Sequence, residues 1–457
     1  MVVDLQADRP EEDGLETWTR LAFQAGGATG TGRWFAAASA QHVARSGAAG
    51  SGAAGAWAVF TPRLDETGWS GPLGPFQLRA GLLDERWGRL DLLPVVDGRS
   101  GRDRSAGPVA GAGSDRLAAP AARLQLGGDT GRVDLVVLPF GASDRLSLWG
   151  TDWSLVRQGM VEGAVAEAAT WEGEPLSEAV FQDALAGLGQ GLAALDPSDR
   201  GLLSGALGGA TGSDWPWQGD VGLRAATEAG GFDLALVGAW LESRVPLLTV
   251  DPDLRALLVD ERLPTLEEAQ GLLAAGLPIS ASRPHSRMAG AEVGRLLGPI
   301  GLRLEGGWWS DRVVQRQWFE GATRPVVATG LGLDWLRSTT QVSLEGRWTH
   351  TPAPPQDLWL TAPEQFDLAL LLRQGLLRER LRAEVVAAWD ASHREHLLQP
   401  GLAWRPRDQW ELSAAVLLLG GGQAAPTTLQ EAATWQGGPL GYWGDNDSLR
   451  VGVAWIR

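Results

Sequence analysis

The feature that most constrains this chain is an alternation of apolar and polar residues with a period of two. In GLRLEGGWWS (301–310), Leu302 and Leu304 fall on one side, whereas Arg303 and Glu305 fall on the other. Successive side chains of a β-strand point to opposite faces, so the pattern predicts a strand with one apolar and one polar face. The same alternation recurs in QVSLEGRW (341–348), FDLALLLR (366–373), RLRAEVVAAWD (380–390), WELSAAVLL (410–418) and SLRVGVAWIR (448–457).

These strands have the length and polarity of strands that cross a membrane. A stretch of about 9–13 residues fits a tilted crossing of the bilayer and exceeds the usual soluble strand of about 5–6 residues. Charged residues stand on the polar face within the strands, where a transmembrane barrel has its aqueous lumen. The predicted lumen-lining residues are Arg303, Glu305, Glu345, Arg347, Arg373, Arg382, Glu384 and Glu411.

Tryptophan is the second unusual feature, because the chain has Trp 23, Phe 9 and Tyr 1. The indole ring is apolar and its N–H seeks a polar partner, which suits the boundary between lipid and water. The apolar face of many predicted strands ends in a tryptophan, as an interfacial girdle requires. The predicted girdle residues are Trp240, Trp308, Trp335, Trp348, Trp389, Trp404, Trp410 and Trp455. A Trp-rich soluble core or a sugar-binding surface is the alternative interpretation.

Short and long connections alternate along the chain, which is typical of bacterial outer-membrane barrels. Tight turns are predicted at 126–132, 227–232, 296–301, 336–341, 374–379 and 405–409, and long segments at 87–116, 141–217, 245–284, 311–323, 350–362 and 421–446. We predict ten strands from about residue 219 onward and two more at about 117–140. Weaker candidate strands lie at 2–7, 15–26, 31–43, 55–64 and 76–84.

The predicted fold class is all-β, with a single transmembrane antiparallel up-and-down β-barrel that forms one domain over residues 1–457. An even strand number is expected for a single-chain bacterial barrel, and the predicted count is about 16–18 strands, with 18 favoured. Because a barrel has no free edge, the closing strand 448–457 must pair with VVDLQA (2–7) or with a strand further in.

Two of the long extracellular loops carry helix-like patterns. Loop 141–217 contains an apolar stripe over 175–195, weakened by glycines. Loop 245–284 contains a predicted helix at 263–276, which opens with a capping box from Thr265 to Glu268. Each predicted helix either packs on the barrel rim or forms a lid or plug that narrows the lumen.

Composition and motifs argue against several other classes of protein. The net charge of −16 disfavours a nucleic-acid partner, and the absence of cysteine excludes disulfides and thiolate metal sites. No apolar run is long enough for a transmembrane helix. The segment HREH (393–396) lacks the third ligand and the activating glutamate of a zinc protease. We therefore predict no catalytic, cofactor-binding or metal residues and no enzyme; an outer-membrane hydrolase with a Ser–His–carboxylate set is the open alternative.

Four stretches resemble a Gram-negative outer-membrane family of porin-like barrels of unknown function, related in kind to alginate-export-type channels. They are LRAGLLDERWGRLDLLPVVD (78–97), VDLVVLPFGASDR (133–145), FDLALVGAWLESRVPLLTVDP (232–252) and MAGAEVGRLLGPIGLRLEGGWWSDRVVQRQWFE (288–320). The resemblance implies a channel for export or uptake of hydrophobic molecules, working beside an inner-membrane or periplasmic export system. The chain departs from the family in its near-absence of tyrosine and in ending at Arg457, two residues after its last aromatic, Trp455.

We expect a channel or transporter of the bacterial outer membrane that passes small molecules, with hydrophobic cargo mildly favoured, through a loop-constricted lumen. The alternatives are a structural or adhesin-type barrel without transport and a soluble all-β sugar-binding protein. Expected partners are outer-membrane lipid, lipopolysaccharide and the barrel assembly machinery, and no cofactor is expected. The opening MVVDLQADRPEEDG turns acidic at once and shows no signal peptide, so we expect the sequence to begin at a mature terminus with Met added.

Overall fold

The structure is a computed structural model of the chain. It describes residues 2–8, 16–29, 32–45, 57–97, 101–102, 116–128, 130–140, 144, 160, 219–250, 252–259, 279–355, 358–407, 410–444 and 446–455. The predicted helices at 175–195 and 263–276 lie outside these residues. Of loop 141–217 only residues 144 and 160 are described, so neither prediction of a lid or plug in the two loops is tested.

The strands, in chain order, are β1 Val2–Asp8, β2 Glu16–Thr29, β3 Gly32–Arg45, β4 Trp57–Leu73, β5 Phe76–Leu83, β6 Gly101–Arg102, β7 Arg116–Leu117, β8 Ala119–Gly127, β9 Gly131–Leu138, β10 Asp220–Ala229, β11 Phe232–Glu242, β12 Leu247–Val250, β13 Ile279–Ser282, β14 His285–Leu297, β15 Ile300–Gln315, β16 Gly321–Arg337, β17 Thr340–His350, β18 Glu364–Leu376, β19 Leu381–Asp390, β20 Glu395–Arg407, β21 Trp410–Gly420 and β22 Ser448–Trp455. Short pairs β6–β7 and β12–β13 form two small sheets of their own.

The other strands form one 18-stranded sheet. Each pairs antiparallel with the next along the chain, and β1 pairs with both β2 and β22. In the last pairing Val3 faces Val453 and Leu5 faces Val451, so VVDLQA is the partner of the terminal strand. The predicted antiparallel up-and-down architecture is confirmed.

The strand prediction after residue 219 is wrong by one, since eleven strands of the large sheet follow that position. The five tight turns after residue 219 join ten strands into five hairpins. β22 follows a long connection, belongs to no hairpin and is the eleventh strand. The predicted strand 55–64 is also too short. β4 continues to Leu73, where Gly74 turns the chain with a φ of 60°.

The tight turns fall at one end of the strands and the long connections at the other, where two short connections, 316–320 and 391–394, also lie. The short-turn end includes the connections at 74–75, 230–231, 298–299 and 338–339. The long-loop end includes the connections 84–118, 243–284, 351–363 and 421–447. Its described helices are α1 Pro252–Val259, a 3-10 turn Gln317–Phe319, α2 Leu429–Ala433 and α3 Pro439–Tyr442. Within the described residues, no helix has the length and apolarity needed to span a bilayer.

The two faces of the large sheet differ in chemistry. On the outer face, Leu304, Leu331 and Leu344 are exposed. The inner face carries buried carboxylates, among them Glu305 and Glu345. Because neighbouring residues of a strand alternate between faces, one apolar and one polar surface run round the sheet. The two-faced strands that the sequence pattern indicated are therefore present.

The eight predicted girdle tryptophans fall at two levels along the strands. Trp240, Trp308, Trp348 and Trp389 are near the long-loop end, and Trp335, Trp404, Trp410 and Trp455 near the short-turn end. On β20, His396 pairs with Trp389 and stands about eight residues before Trp404, which is about 26 Å along the strand. After the usual barrel tilt this separation becomes roughly 20 Å, somewhat below a typical outer-membrane apolar band. Their role as a girdle stays a prediction.

Candidate functional site

Residues 84–97, which follow β5, fold across the inner face of the sheet; we call them the inner segment. Trp87 reaches Gly222 of β10, Val96 reaches Gly290 of β14, and Leu90 reaches Gly330 of β16. Hydrogen bonds from backbone amides of the segment to the carboxylate of Glu345 extend the contact to β17. The segment therefore spans the interior wall from β10 to β17 and is not a surface loop.

Glycines on the inner face make room for the inner segment; we call Gly222, Gly290, Gly307, Gly330 and Gly332 the glycine floor. A Cβ at position 290 would stand 2.6 Å from Val96 Cγ1, and one at position 332 would stand 2.7 Å from Leu90 Cδ2. Such separations are too short for carbon atoms, so side chains larger than hydrogen would push the segment off the wall. The floor therefore fixes how closely the segment can approach.

Glu305 anchors the inner segment by accepting hydrogen bonds from its backbone amides. Its carboxylate accepts hydrogen bonds from the amides of Arg89, Leu90, Val95 and Val96, with N–O distances of 2.6 Å for Leu90 and 2.8 Å for Val95. Hydrogen bonds to an ionised group contribute more than neutral ones. The amides of the inner segment thus stabilise the buried charge of Glu305, and Glu305 holds the segment against the wall.

Glu345 and Arg303 form a second anchor beside the first. Glu345 accepts the amides of Asp91, Leu92 and Leu93 at 2.9, 2.9 and 2.7 Å. Arg303 donates to Glu345 at 3.0 Å and to the carboxylate of Asp91 at 2.8 Å. The guanidinium therefore links the tip of the inner segment to the wall.

Glu292 supplies a third anchor near the start of the inner segment. It pairs with Arg224 at 2.7 Å and accepts the amide of Gly88 at 3.3 Å. Gly88 has a φ of 96°, and a Cβ there would stand 2.7 Å from Oε1 of Glu305. Glycine is required at this position for both reasons.

Apolar packing completes the attachment of the inner segment. Trp87, Leu90, Val95 and Val96 are buried in one cluster with wall residues of several strands. The wall members include Leu83, Ala121, Val136, Leu138, Val237, Leu241, Met288, Trp309, Val326 and Ala328. Burial of side chains this large stabilises by about 1.5–3 kcal/mol each, so the segment is packed firmly against the inner face of the sheet.

The structure brings three of the eight predicted lumen-lining residues, Arg303, Glu305 and Glu345, together at the inner segment. The other five stand on the inner face of β17–β21 in a row of ion pairs. Arg347 pairs with Asp367 at 2.8 Å. Arg373 pairs with Glu384 at 2.7 Å, and Arg382 with Glu411 at 3.3 Å. Their role as lumen lining stays a prediction.

A second segment, residues 421–447, folds over the inner face at the long-loop end; we call it the cap. Leu440 and Trp443 pack on Leu397, Leu417 and Leu419. The amide of Gly438 donates to Glu395 at 2.6 Å. Tyr442, the single tyrosine, is fully buried against Trp359, Trp435 and Trp443. The cap therefore covers apolar residues on the inner face of the sheet.

His393 lies in the turn between β19 and β20, beneath the cap. Its Nδ1 is 2.6 Å from Asp390 Oδ2. Burial opposes the charged imidazole, but the hydrogen bond and charge of Asp390, with the charges of Glu395 and Asp367, raise the pKa of His393 above its ordinary value. Among the described residues, no group of three or more potential ligands could hold a metal ion.

Sequence reasoning missed the inner segment, which it assigned in part to a long connection, 87–116, while predicting the lid or plug elsewhere. The missed signal was glycine on the polar side of strands whose apolar side is leucine. In GLGLD (330–334), Gly330 and Gly332 alternate with Leu331 and Leu333. A glycine at a lumen position marks close approach of another backbone or side chain.

Neither the protein families nor the curated proteins contain a match to this chain. Similar solved structures include OccK8 (OprE) of Pseudomonas aeruginosa, at 8% identity over 99% of this chain and 96% of that one, with a TM-score of 0.45. OccAB1 of Acinetobacter baumannii has 7% identity over 99% and 94%, with a TM-score of 0.44. OccK9 (OpdG) of Pseudomonas aeruginosa has 11% identity over 99% and 95%, with a TM-score of 0.43. The comparison with alginate-export-type barrels stays a prediction.

Proposed function

We propose that this protein is an outer-membrane channel for small solutes, narrowed by the inner segment. The observation that carries the proposal is the attachment of residues 84–97 to Glu292, Glu305 and Glu345 on the inner face. A segment held there occupies the part of the lumen beside β10–β17 and leaves the ion-pair row of β17–β21 facing the remaining space. Selectivity in such channels follows from the width and the charge of the narrowest part.

The outer face supports the location in the membrane. It exposes leucines along many strands, and tryptophans stand at both ends of the apolar surface. Bacterial barrels place short turns in the periplasm and long loops outside. We therefore place the short-turn end in the periplasm, with outer-membrane lipid as the partner of the outer face. The barrel assembly machinery and an export system stay predictions.

We propose small polar solutes as cargo rather than hydrophobic ones. Inner leucines such as Leu417 would favour hydrophobic cargo if they lined the open space, but Leu417 is fully buried under the cap. Within the ion-pair row the arginines keep more contact with solvent than the carboxylates, since Arg373 and Arg382 are more exposed than their partners Glu384 and Glu411. The proposed activity is passage, with no enzymatic step.

Ion conductance in planar bilayers tests the proposal. Wild-type protein should give discrete channels, and replacing residues 88–93 by a glycine–serine link of equal length should widen them and raise the single-channel conductance severalfold. The matched control replaces the short turn 377–380 with the same kind of link, because that turn lies at the opposite end from the inner segment. Absence of conductance in both wild type and the 88–93 variant would overturn the channel and favour a barrel without transport.

A further inference from the structure

Arg287 of β14 stands on the outer face, where the protein would meet lipid. Its guanidinium carbon lies 5.8 Å from the ring centre of Trp240 on the neighbouring strand β11. Arg287 forms no ion pair with any residue that the structure describes. A cation at the edge of an apolar surface needs an anion or water, and stacking on an indole ring leaves its N–H donors free to bind one.

His285 extends the polar group at the same end of β14. Its ring stacks on Trp240 with 5.4 Å between centroids and 20° between planes. His285 Nε2 is buried and has no hydrogen-bond partner among the described residues. Two nitrogen-bearing side chains thus flank one indole at the long-loop end of the apolar surface, the level at which lipid headgroups begin.

Below Arg287 the outer face forms a trough along β14. Ala289 and Ala291 are exposed on its floor, and Gly238 and Gly306 beside them have no atom within 4 Å of a Cβ position. Trp240 and Trp308 form its two sides near the top. A separate depression of about 670 Å³ lies across β15–β18, beside Leu304, Leu331 and Leu368. The open space above the small residues of the trough leaves room for hydrocarbon chains.

We propose that this surface binds a phosphorylated lipid of the leaflet at the long-loop end, with the phosphate on Arg287 and acyl chains in the trough. The inference rests on the proposed membrane location. Arginine pairs with phosphate through two parallel hydrogen bonds, and the indole holds the guanidinium in place. A second copy of this chain is the other candidate occupant, but a twofold contact centred on this site would bring two Arg287 side chains together without an anion.

Native mass spectrometry of the delipidated full-length protein in detergent tests the site, with bisphosphorylated lipid A as the probe. Wild type should bind it, and Arg287→Gln should weaken binding on the order of tenfold, the loss of one charge-assisted pair. Arg295→Gln is the matched control, because Arg295 stands on the same face of β14 and stacks on Phe232 at the short-turn end. That variant should bind like wild type.

Two further arms separate the trough from the charge. Gly238→Leu should weaken binding by filling the trough, and dephosphorylated lipid A should bind wild type as weakly as the phosphorylated lipid binds Arg287→Gln. Equal binding by Arg287→Gln and wild type, or equal binding of both lipids, would overturn the proposal. An oligomer that forms in lipid-free detergent and that Gly238→Leu dissociates would also overturn it. Arg287→Gln should keep wild-type conductance. Because lipid binding is measured separately from conductance, the binding result can be interpreted even if the protein forms no channel.

Discussion

Leu90 of the inner segment packs on Gly330 of β16 in the space that a Cβ at position 330 would need. The same side chain also covers Gly332, and Val95 lies 3.0 Å from the Cβ position of Gly330. Segment and wall therefore fit only while both positions remain glycine. If the segment narrows the lumen, its position and the conductance are linked through this contact.

Gly330→Leu should displace the inner segment and change the conductance. The new side chain would occupy the place of Leu90, so we expect larger and noisier channels and a loss of stability of about 1–3 kcal/mol from overpacking. Gly306→Leu is the control, because a Cβ there meets no atom within 4 Å on the outer face. Planar-bilayer recordings and urea unfolding measure both effects; equal behaviour of the two variants would contradict the role of the floor.

Glu305→Gln should loosen the inner segment without adding bulk. The amide keeps one acceptor oxygen but loses the charge, and each charge-assisted hydrogen bond lost costs about 1.5–3 kcal/mol. Hydrogen exchange at the amides of Leu90 and Val95 should accelerate. Glu411→Gln serves as the control, since Glu411 pairs with Arg382 and Arg405 on β19–β21. Unchanged protection of those two amides in Glu305→Gln would count against the anchor.

Docking of the cap should weaken as pH rises. The pKa of His393 is raised in the folded protein by Asp390, Glu395 and Asp367 against the opposing effect of burial. The stabilisation of the docked cap by charged His393 is therefore complete below the ordinary histidine pKa of about 6.5. It disappears as pH rises through the raised pKa of His393 in the folded protein. Hydrogen exchange at Gly438 and Gly441, corrected for intrinsic rates, should show this loss. His393→Gln should remove the dependence, and a variant that retains it would refute the assignment to His393.

Single cysteines should report the two faces of the wall, because the chain contains no cysteine of its own. In liposomes, Arg382→Cys should react with a membrane-impermeant thiol reagent, since Arg382 stands on the inner face and is 40% exposed. Leu402→Cys should stay unreactive, since Leu402 stands on the outer face and is 54% exposed to what we propose is lipid. Reaction of both at similar rates would mean that the outer face meets water.

The strand pattern was predictable because the alternating residues of each strand match the two environments that its faces meet. Leu304 and Glu305 differ in polarity since one faces outward and the other inward, and this difference can be read locally. The same reasoning placed Arg347, Arg373 and Arg382 on one face. Their ion-pair partners could be placed only with the register between strands, which a single sequence does not specify.

The inner segment was not predictable in the same way. Its backbone is held by Glu305 and Glu345, more than 200 residues later in the chain. Its own sequence, DERWGRLDLLPVVD, has neither a strand nor a helix period. Only the inward glycines, such as Gly330, carry a local trace of it, and they acquire meaning once the facing of β16 is known.

A reversible cross-link between the inner segment and the wall tests the central claim most directly. Leu90→Cys and Gly330→Cys should form a disulfide in protein that also carries Glu305→Gln and Glu345→Gln. Oxidised channels should conduct like wild type, and reduction should raise their conductance as the segment leaves the floor. A conductance that is the same before and after reduction, in protein shown to contain the disulfide, would contradict the claim that residues 84–97 set the width of the channel.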